Sequence, residues 1–212
     1  MTRKRLIVGI SGASGAIYGI RLLEVLRGVP DVETHLVMSS AAMRTVPLET
    51  DFTAAAVASL ADRVYRPGDI AAAISSGSFK TYGMVVAPCS MKTASGVASS
   101  YADNLLLRAA DVVLKERRRL VLVVRETPLH LGHLRVLTQI TEMGGIVMPP
   151  VPAFYHRPQT IVDIVDQTVN RVLDLLDIEL GADLFERWRG PRAERAFADV
   201  EPAPDLVPEE SE

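Results

Sequence analysis

Three glycines at intervals of three residues follow the first apolar run of the sequence, in the segment GISGASG at Gly9–Gly15. Glycine permits a tight turn and a close backbone approach, and the start of the following helix offers N–H groups to an anion. The Ser14 hydroxyl adds a further donor. The spacing fits neither the dinucleotide fingerprint nor a Walker A loop. The segment therefore indicates either an anion-binding loop or a small-residue turn that serves packing alone.

A second segment, PCSMKT at Pro88–Thr93, stands between an apolar run and a helical pattern of small residues. Ser90 and Thr93 are residue types that cap helices, so an ordinary helix start is one interpretation. The alternative is that the N–H groups of this start, with Lys92, bind part of a phosphorylated cofactor. Cys89 has the character of a small buried residue.

Three charged residues share one face of a later helical pattern. Arg108, Asp111 and Lys115 lie at positions i, i+3 and i+7, and this spacing places them on one side of a helix. They form either a row of surface ion pairs or a cationic edge directed at a phosphate.

A charged pair, Arg125 and Glu126, ends an apolar run that has the character of a buried strand. Ligand sites commonly lie at the carboxyl ends of buried strands, so these charged side chains are candidates for ligand binding. The alternative is that they form a structural salt bridge. His130 and His133 follow three residues apart, but no third ligand stands near them in sequence, so we predict no metal site.

The loop FYHRP at Phe154–Pro158 follows a proline-rich stretch. Aromatic residues such as Tyr155, in a loop whose conformations proline restricts, either line an apolar pocket or fill space in the core. Arg171 lies beside the apolar stripe of the last helical pattern, where an arginine is most often simply solvated.

The elements that position these residues alternate along the chain. Strands are predicted at Leu6–Ile10, His35–Met38, Met84–Ala87, Leu120–Val124 and Gly145–Met148. Helices are predicted at Ile17–Leu26, Met91–Val97, Leu105–Glu116, Leu131–Met143 and Thr160–Ile178. This alternation predicts an α/β fold, a doubly wound parallel sheet with helices on both faces. Ligands bind such sheets beyond the carboxyl ends of the strands, which here are followed by Gly9–Gly15, Ser39–Ser40, Pro88–Thr93 and Arg125–His130.

Composition bounds the function. The 212 residues carry a net charge of −3, which argues against a general nucleic-acid binder. Residues 191–212 hold seven acidic and two basic side chains, so we predict one domain at 1–190 and a disordered acidic tail at 191–212. The single cysteine excludes an internal disulfide framework. No apolar run approaches membrane-spanning length, and a cytoplasmic location is predicted.

Taken together, the segments resemble the flavin prenyltransferases of the UbiX type. The matching stretches cover about Arg5 to Gly190 in one order. They are GISGASGAIYG, VMSSAA with LETD, PCSMKT, AADVVLKERR, VRETPLH, MPPVPAFYHRPQ and DLFERWRG.

The resemblance implies a single-domain, three-layer Rossmann-like or flavodoxin-like fold in a large homo-oligomer, commonly a dodecamer with sites between subunits. It implies that FMN is bound without serving as a redox catalyst. A dimethylallyl group passes from dimethylallyl phosphate to N5 and then C6 of reduced FMN. The product, prenylated FMN, serves a partner decarboxylase of the ubiquinone-biosynthesis type.

The resemblance also implies roles for individual residues. Those similar to FMN contacts are Gly12, Ala13, Ser14, Ser39, Ser90, Met91, Lys92, Thr93 and Arg125. Those that match the dimethylallyl phosphate site are Tyr155, Arg171, Arg108, Lys115 and Glu126. Glu49 and Trp188 match positions near the site. The residues expected to carry catalysis are Glu126, Lys115, Arg108 and Ser14.

The chemistry of these residue types agrees with such a transfer. Cations stabilise a departing phosphate without a metal ion, Glu126 is suited to move a proton, and Tyr155 is suited to donate a hydrogen bond to phosphate. Two rival classes remain. A flavin-dependent cysteine decarboxylase would share the fold and FMN, and a non-catalytic flavin carrier or subunit of a decarboxylase complex would bind FMN without turnover. The LKERRRL, RETP and FYHRP segments favour the prenyltransferase.

Overall fold

A computed structural model of the chain describes residues 3–190, and the predicted tail at 191–212 lies outside this range. Six parallel strands form one sheet, β1 at Lys4–Ile10, β2 at Val32–Met38, β3 at Arg63–Tyr65, β4 at Gly83–Cys89, β5 at Arg119–Val124 and β6 at Ile146–Val147. Their order across the sheet is β3-β2-β1-β4-β5-β6. This is the Rossmann order, and without the short edge strand β3 it is the flavodoxin order.

Within residues 3–190, seven α-helices cover the two faces of the sheet. They are α1 at Ala16–Leu26, α2 at Ser40–Glu49, α3 at Ala54–Ala58, α4 at Met91–Ala98, α5 at Leu105–Lys115, α6 at Leu131–Glu142 and α7 at Ile161–Leu175. The central strands bury both faces, since Leu6, Val8 and Ile10 of β1 join α1 and α7 in one core. Ile7 joins the core under α4 and α5. The predicted three-layer α/β architecture is confirmed.

Three elements were not expected from the sequence. The strand β3 has only three residues, and the helices α2 and α3 lie between β2 and β3. In addition, α7 ends at Leu175, three residues before the predicted end of the last helix. No helix in residues 3–190 combines the length and the apolar character that crossing a membrane requires.

The chain order reverses between β1 and β4, which are neighbours at the centre of the sheet. Open α/β sheets bind ligands in the crevice that forms at this point, beyond the carboxyl ends of the strands. The register of β4 against β5 shifts between Val86 and Cys89, as expected for a proline, here Pro88, inside a central strand. The four segments predicted to carry ligand contacts therefore meet at one edge, which we call the carboxyl edge.

Candidate functional site

The glycine-rich loop is shaped by close backbone approach. A Cβ on Gly12 would lie 2.3 Å from the Cβ of Ala41 on α2, so only glycine fits there. Gly15 has φ +98° and precedes α1 in the left-handed region that favours glycine. Close packing thus accounts for Gly12, and the left-handed backbone conformation accounts for Gly15. The loop lies at the carboxyl edge between α1 and α2.

The N-terminus of α1 holds a carboxylate from the same chain. Oε2 of Glu49 accepts hydrogen bonds from the backbone nitrogens of Gly15 at 2.8 Å and Ala16 at 3.1 Å. The expectation that these N–H groups are available to a ligand is therefore wrong. Glu49 is the last residue of α2. Its negative charge offsets the positive N-terminal end of the α1 helix dipole.

Glu49 has a lowered pKa. Partial desolvation opposes its ionisation, but hydrogen bonds from Ser14, Gly15 and Ala16 and the positive charge of Arg125 together lower the pKa. Ser14 and Arg125, which follow β1 and β5, therefore both interact with one carboxylate from α2.

Ser11 ties the first loop to the fourth strand. It is buried, its Oγ donates to the carbonyl of Pro88 at 2.9 Å, and the same Oγ accepts from the nitrogen of Ser90 at 2.7 Å. Ser14, three residues later, is exposed. Of the two serines, Ser11 therefore has a structural role, whereas Ser14 is exposed and bonds Glu49.

Ser39 and Ser90 cap the two helices that begin beside the crevice. Ser39 Oγ accepts from the nitrogen of Ala42 at 3.0 Å, and Ser90 Oγ accepts from the nitrogen of Thr93 at 3.3 Å. Both serines are half-buried. The capping interpretation of Ser90 is thus confirmed, and each hydroxyl retains further hydrogen-bonding capacity.

The start of α4 combines buried and exposed residues. Met91 and Thr93 are buried, whereas Lys92 is exposed at the carboxyl edge. Cys89 is wholly buried, and burial raises the pKa of its thiol to about 12. A thiol in this state is not a nucleophile at neutral pH.

Arg125 and Glu126 follow β5 and are both exposed. The backbone of Arg125 is fixed by a hydrogen bond from its nitrogen to the carbonyl of Cys89 at 3.0 Å. Glu126 accepts one hydrogen bond through Oε1, from the nitrogen of Thr127 at 3.1 Å. Within residues 3–190, neither side chain takes part in an ion pair of 4.0 Å or less, so the structural salt bridge is not formed in the single chain.

The helix α5 carries Lys115 away from this edge. Lys115 is the last residue of α5 and β5 begins four residues later, so Lys115 lies at the opposite edge, where the strands begin. Its ammonium group pairs with Glu116. Arg108 lies seven residues earlier, about 10 Å along the helix, and bonds Asp111 at 2.8 Å and the carbonyl of Ser75 at 3.2 Å.

Tyr155 and Arg171 are both connected to the segment that follows α7. The Tyr155 ring lies 6.4 Å from Phe185 and 5.8 Å from Trp188, measured between ring centroids. Arg171 donates to Asp174 at 2.7 Å, and Arg187 donates to the same carboxylate. Tyr155 thus contacts Phe185 and Trp188 directly, and Arg171 is linked to Arg187 through Asp174.

Hydrogen bonds and ion pairs within residues 3–190 do not link all the predicted site residues. In the range 3–190, no hydrogen bond or ion pair joins Lys115, Arg108, Tyr155 or Arg171 to a residue at the carboxyl edge. A cavity of about 490 Å³ borders Asp174, Asp183 and Arg187. Its four carboxylates make it unsuited to an anion, so we do not assign it to phosphate.

The carboxyl edge fits the FMN that the resemblance implies. Its exposed cations, Lys92 and Arg125, suit a phosphate, and its serine hydroxyls suit the hydroxyls and carbonyls of a flavin. No cluster of three metal-ligating side chains occurs in the described part of the chain. His130 instead caps α6, accepting from the nitrogens of Gly132 and His133.

Large apolar side chains are exposed in the single chain. Leu48, Ile161, Val151 and Phe154 are 84%, 79%, 72% and 69% exposed. Such side chains are available to an interface between protein chains, where contiguous apolar patches are characteristic.

Comparisons with known proteins agree with this arrangement. The family model described as "Flavoprotein" matches residues 1–173. The flavin prenyltransferase UbiX of Escherichia coli K12 is 68% identical over 187 residues, which are 88% of this chain and 99% of that protein. The crystal structure of AnUbiX (PadA1) in complex with FMN and dimethylallyl pyrophosphate has a TM-score of 0.87 at 51% identity, and covers 90% of this chain and 100% of its own. A dodecameric FMN-dependent UbiX-like decarboxylase from E. coli O157:H7 has a TM-score of 0.85 at 54% identity, over 88% and 100%.

Proposed function

The chain belongs to the UbiX flavin prenyltransferases of the flavoprotein family, and from this premise we propose how its residues transfer a dimethylallyl group from dimethylallyl phosphate to reduced FMN. The observation that carries the assignment is the 68% identity over 99% of the E. coli enzyme. The acceptor supplies the nucleophilic nitrogen when bound, with bonds formed at N5 and then C6. The product, prenylated FMN, serves a partner decarboxylase of the ubiquinone-biosynthesis type.

The carboxyl edge is the proposed FMN site. Gly12, Ala13 and Ser14 contact the flavin from the first loop, and Ser39 contacts it from the start of α2. The start of α4 contributes Ser90, Met91, Lys92 and Thr93. Since Met91 and Thr93 are buried, they act through backbone groups. Arg125 supplies positive charge close to Glu49, which already occupies the N-terminus of α1, so the phosphate is bound by donors other than that helix start.

The dimethylallyl phosphate site is proposed to form between copies of the chain. Lys115 lies at the opposite edge of its own sheet, and within residues 3–190 Arg108, Tyr155 and Arg171 contact residues other than those of the carboxyl edge. An allyl transfer needs reacting groups about 3–3.5 Å apart. The exposed apolar side chains supply the surface for such an assembly. We propose a homododecamer, by similarity to the dodecameric relative.

Each cationic residue has a proposed role in the departure of phosphate. Arg108, Lys115 and Arg171 stabilise the negative charge that develops on the leaving group. Tyr155 donates a hydrogen bond to the phosphate and closes the pocket. Glu126 holds and transfers a proton at its carboxylate. A pocket from which water is excluded protects the allyl group from hydrolysis.

An anaerobic assay tests the proposed function. The purified protein is mixed with reduced FMN and dimethylallyl phosphate, and the flavin is analysed by mass spectrometry. We expect an adduct heavier by one C5 unit. Tight FMN binding without an adduct would instead identify a flavin carrier. We also propose a cytoplasmic location, which the single cysteine of the sequence supports.

A further inference from the structure

Two arginines share one carboxylate at the end of α7. Asp174 Oδ2 accepts from Arg171 at 2.7 Å and from Arg187 at 2.9 Å, and Asp174 Oδ1 accepts from Arg187 at 2.8 Å. Arg187 therefore engages both oxygens of Asp174, while Arg171 reaches only one. A bidentate contact of this kind fixes orientation as well as charge.

Arg187 is itself held in place from two directions. Asp183 accepts from its Nε and from its second terminal nitrogen, both at 2.6 Å. The backbone of the segment is anchored by Leu184, whose nitrogen donates at 2.8 Å to Asn170, a residue that is 1% exposed. The Arg187 guanidinium is thus ordered on the surface of α7 before any ligand arrives.

The charges of this network explain what Arg187 does. Arg171, Asp174, Arg187 and Asp183 are two cations and two anions, so the network is neutral as a whole. Hydrogen bonding to Arg187 is the largest of the interactions that lower the pKa of Asp174, so this carboxylate stays ionised. Without Arg187, the full negative charge of Asp174 would face Arg171 alone, three residues before it on the same helix.

We infer that Arg187 is a positioning residue for substrate binding: it occupies Asp174 and so leaves the charge of Arg171 available to the phosphate of dimethylallyl phosphate. Arg171 uses one terminal nitrogen on Asp174, and a guanidinium carries five N–H donors, so donors remain for a phosphate. This inference rests on the proposed function, in which Arg171 contacts that substrate.

The test is a double-mutant cycle on the full-length protein with reduced FMN. Arg187→Gln removes the shared cation, Asp174→Asn removes the charge that it neutralises, and the double variant removes both. We expect Arg187→Gln to raise KM for dimethylallyl phosphate about threefold to tenfold, with kcat within about twofold of the parent. The double variant returns KM to near the parental value, because Arg171 no longer faces a carboxylate. Asp174→Asn alone leaves KM unchanged or lower.

Arg27→Gln is the matched control, since it removes the same charge from an exposed position at the end of α1. Its KM should equal that of the parent. An unchanged KM in Arg187→Gln would overturn the inference. A raised KM that Asp174→Asn does not reverse would also overturn it, because Arg187 would then contact the phosphate directly or act only on the fold.

Melting temperature and size-exclusion profile are recorded for every variant. If Arg187→Gln fails to fold, Asp174→Asn alone still decides, since a higher KM in that variant would show that Asp174 orients Arg171 rather than competing for it. A parent protein that forms no C5 adduct would refute the proposed function itself. That result is separate from any difference among the variants.

Discussion

The carboxylate of Glu49 lies 2.8 Å from the backbone nitrogen of Gly15, 34 residues earlier in the chain. The last residue of α2 thus caps the first turn of α1, and an internal anion occupies the place where a first-strand loop commonly receives a phosphate. The contact also fixes the glycine-rich loop, because Ser14 and Gly15 both bond the same carboxyl group. The shape of the proposed flavin site therefore depends on a residue from a different crossover.

In Glu49→Gln, the free energy of unfolding should change less than in the parent as the pH is lowered into the acid range. The folded-state pKa of Glu49 is lowered, so its contribution is present above the unfolded value, about 4.3, and is lost as pH falls through the folded pKa. We expect the parent to be more stable than the variant at pH 7 by about 0.5 kcal/mol, since the group is exposed and screened. The difference should shrink as the pH falls below the unfolded value and through the lowered folded-state pKa.

Thermal unfolding of both proteins from pH 3 to pH 7 measures this. Glu142→Gln is the control, because Glu142 is exposed and makes no hydrogen bond or ion pair in residues 3–190. Parallel pH profiles for the parent and Glu49→Gln would show that the contact contributes nothing to stability.

Ser14→Ala should weaken FMN binding, whereas Ser11→Ala should mainly lower the melting temperature. The buried Ser11 hydroxyl pairs with the Pro88 carbonyl and the Ser90 nitrogen, and leaving such groups unpaired costs about 1–3 kcal/mol. Ser14 is exposed at the crevice. Flavin titration and thermal unfolding of the two variants give the comparison, and equal flavin affinity in both would contradict it.

The sequence predicted those strands and helices whose apolar residues recur at a clear spacing. Five strands and five helices follow from apolar runs, but β3 contributes only Arg63–Tyr65, which is too short to show a period. The helix α2 contains Pro47 and buries only Ala42 and Val46, so its apolar helical pattern is weak. For the site, the sequence placed Arg108 and Asp111 correctly on one face, as their 2.8 Å contact shows. The Glu49 cap joins residues that are distant in sequence, and no local pattern encodes it.

A chain truncated after Gly190 should retain FMN binding, assembly and prenyl transfer. The aligned 187 residues already cover 99% of the E. coli relative, and the removed segment has a net charge of −5 and no hydrophobic period. Size-exclusion chromatography and the adduct assay compare it with the full chain. Loss of the oligomer on truncation would show that residues 191–212 take part in assembly.

Two inactive variants, substituted at opposite edges of the sheet, should restore activity when they are assembled into one oligomer. Arg125→Ala alters the carboxyl edge, and Lys115→Met alters the far end of α5. If two copies build each site, co-expression yields sites in which both residues are intact, about a quarter of the total for random assembly between two chains. The adduct assay on the mixed oligomer measures the recovery. Activity no higher than in the separate variants would mean that one chain supplies both residues.

Glu126→Gln should slow the reaction without disturbing the fold. The amide keeps the shape of the side chain and can accept the hydrogen bond that Thr127 donates at 3.1 Å, but it does not exchange a proton. Because Glu126 forms no ion pair within residues 3–190 of its own chain, its loss leaves no cation there unpaired. We expect the melting temperature to stay within a few degrees of the parent and the oligomer and FMN affinity to be retained.

The rate of adduct formation in Glu126→Gln should fall by about 10²–10⁴, the usual contribution of a general acid or base. Quenched-flow sampling with mass spectrometry distinguishes a uniform loss from a reaction that stops after the first bond to the flavin. Glu142→Gln again serves as the control, because it removes a carboxylate from an exposed position on α6. Turnover at the parental rate would exclude Glu126 as the proton carrier. A variant that folds but no longer holds FMN would instead make Glu126 a binding residue, since a proton carrier is needed only once the flavin is in place.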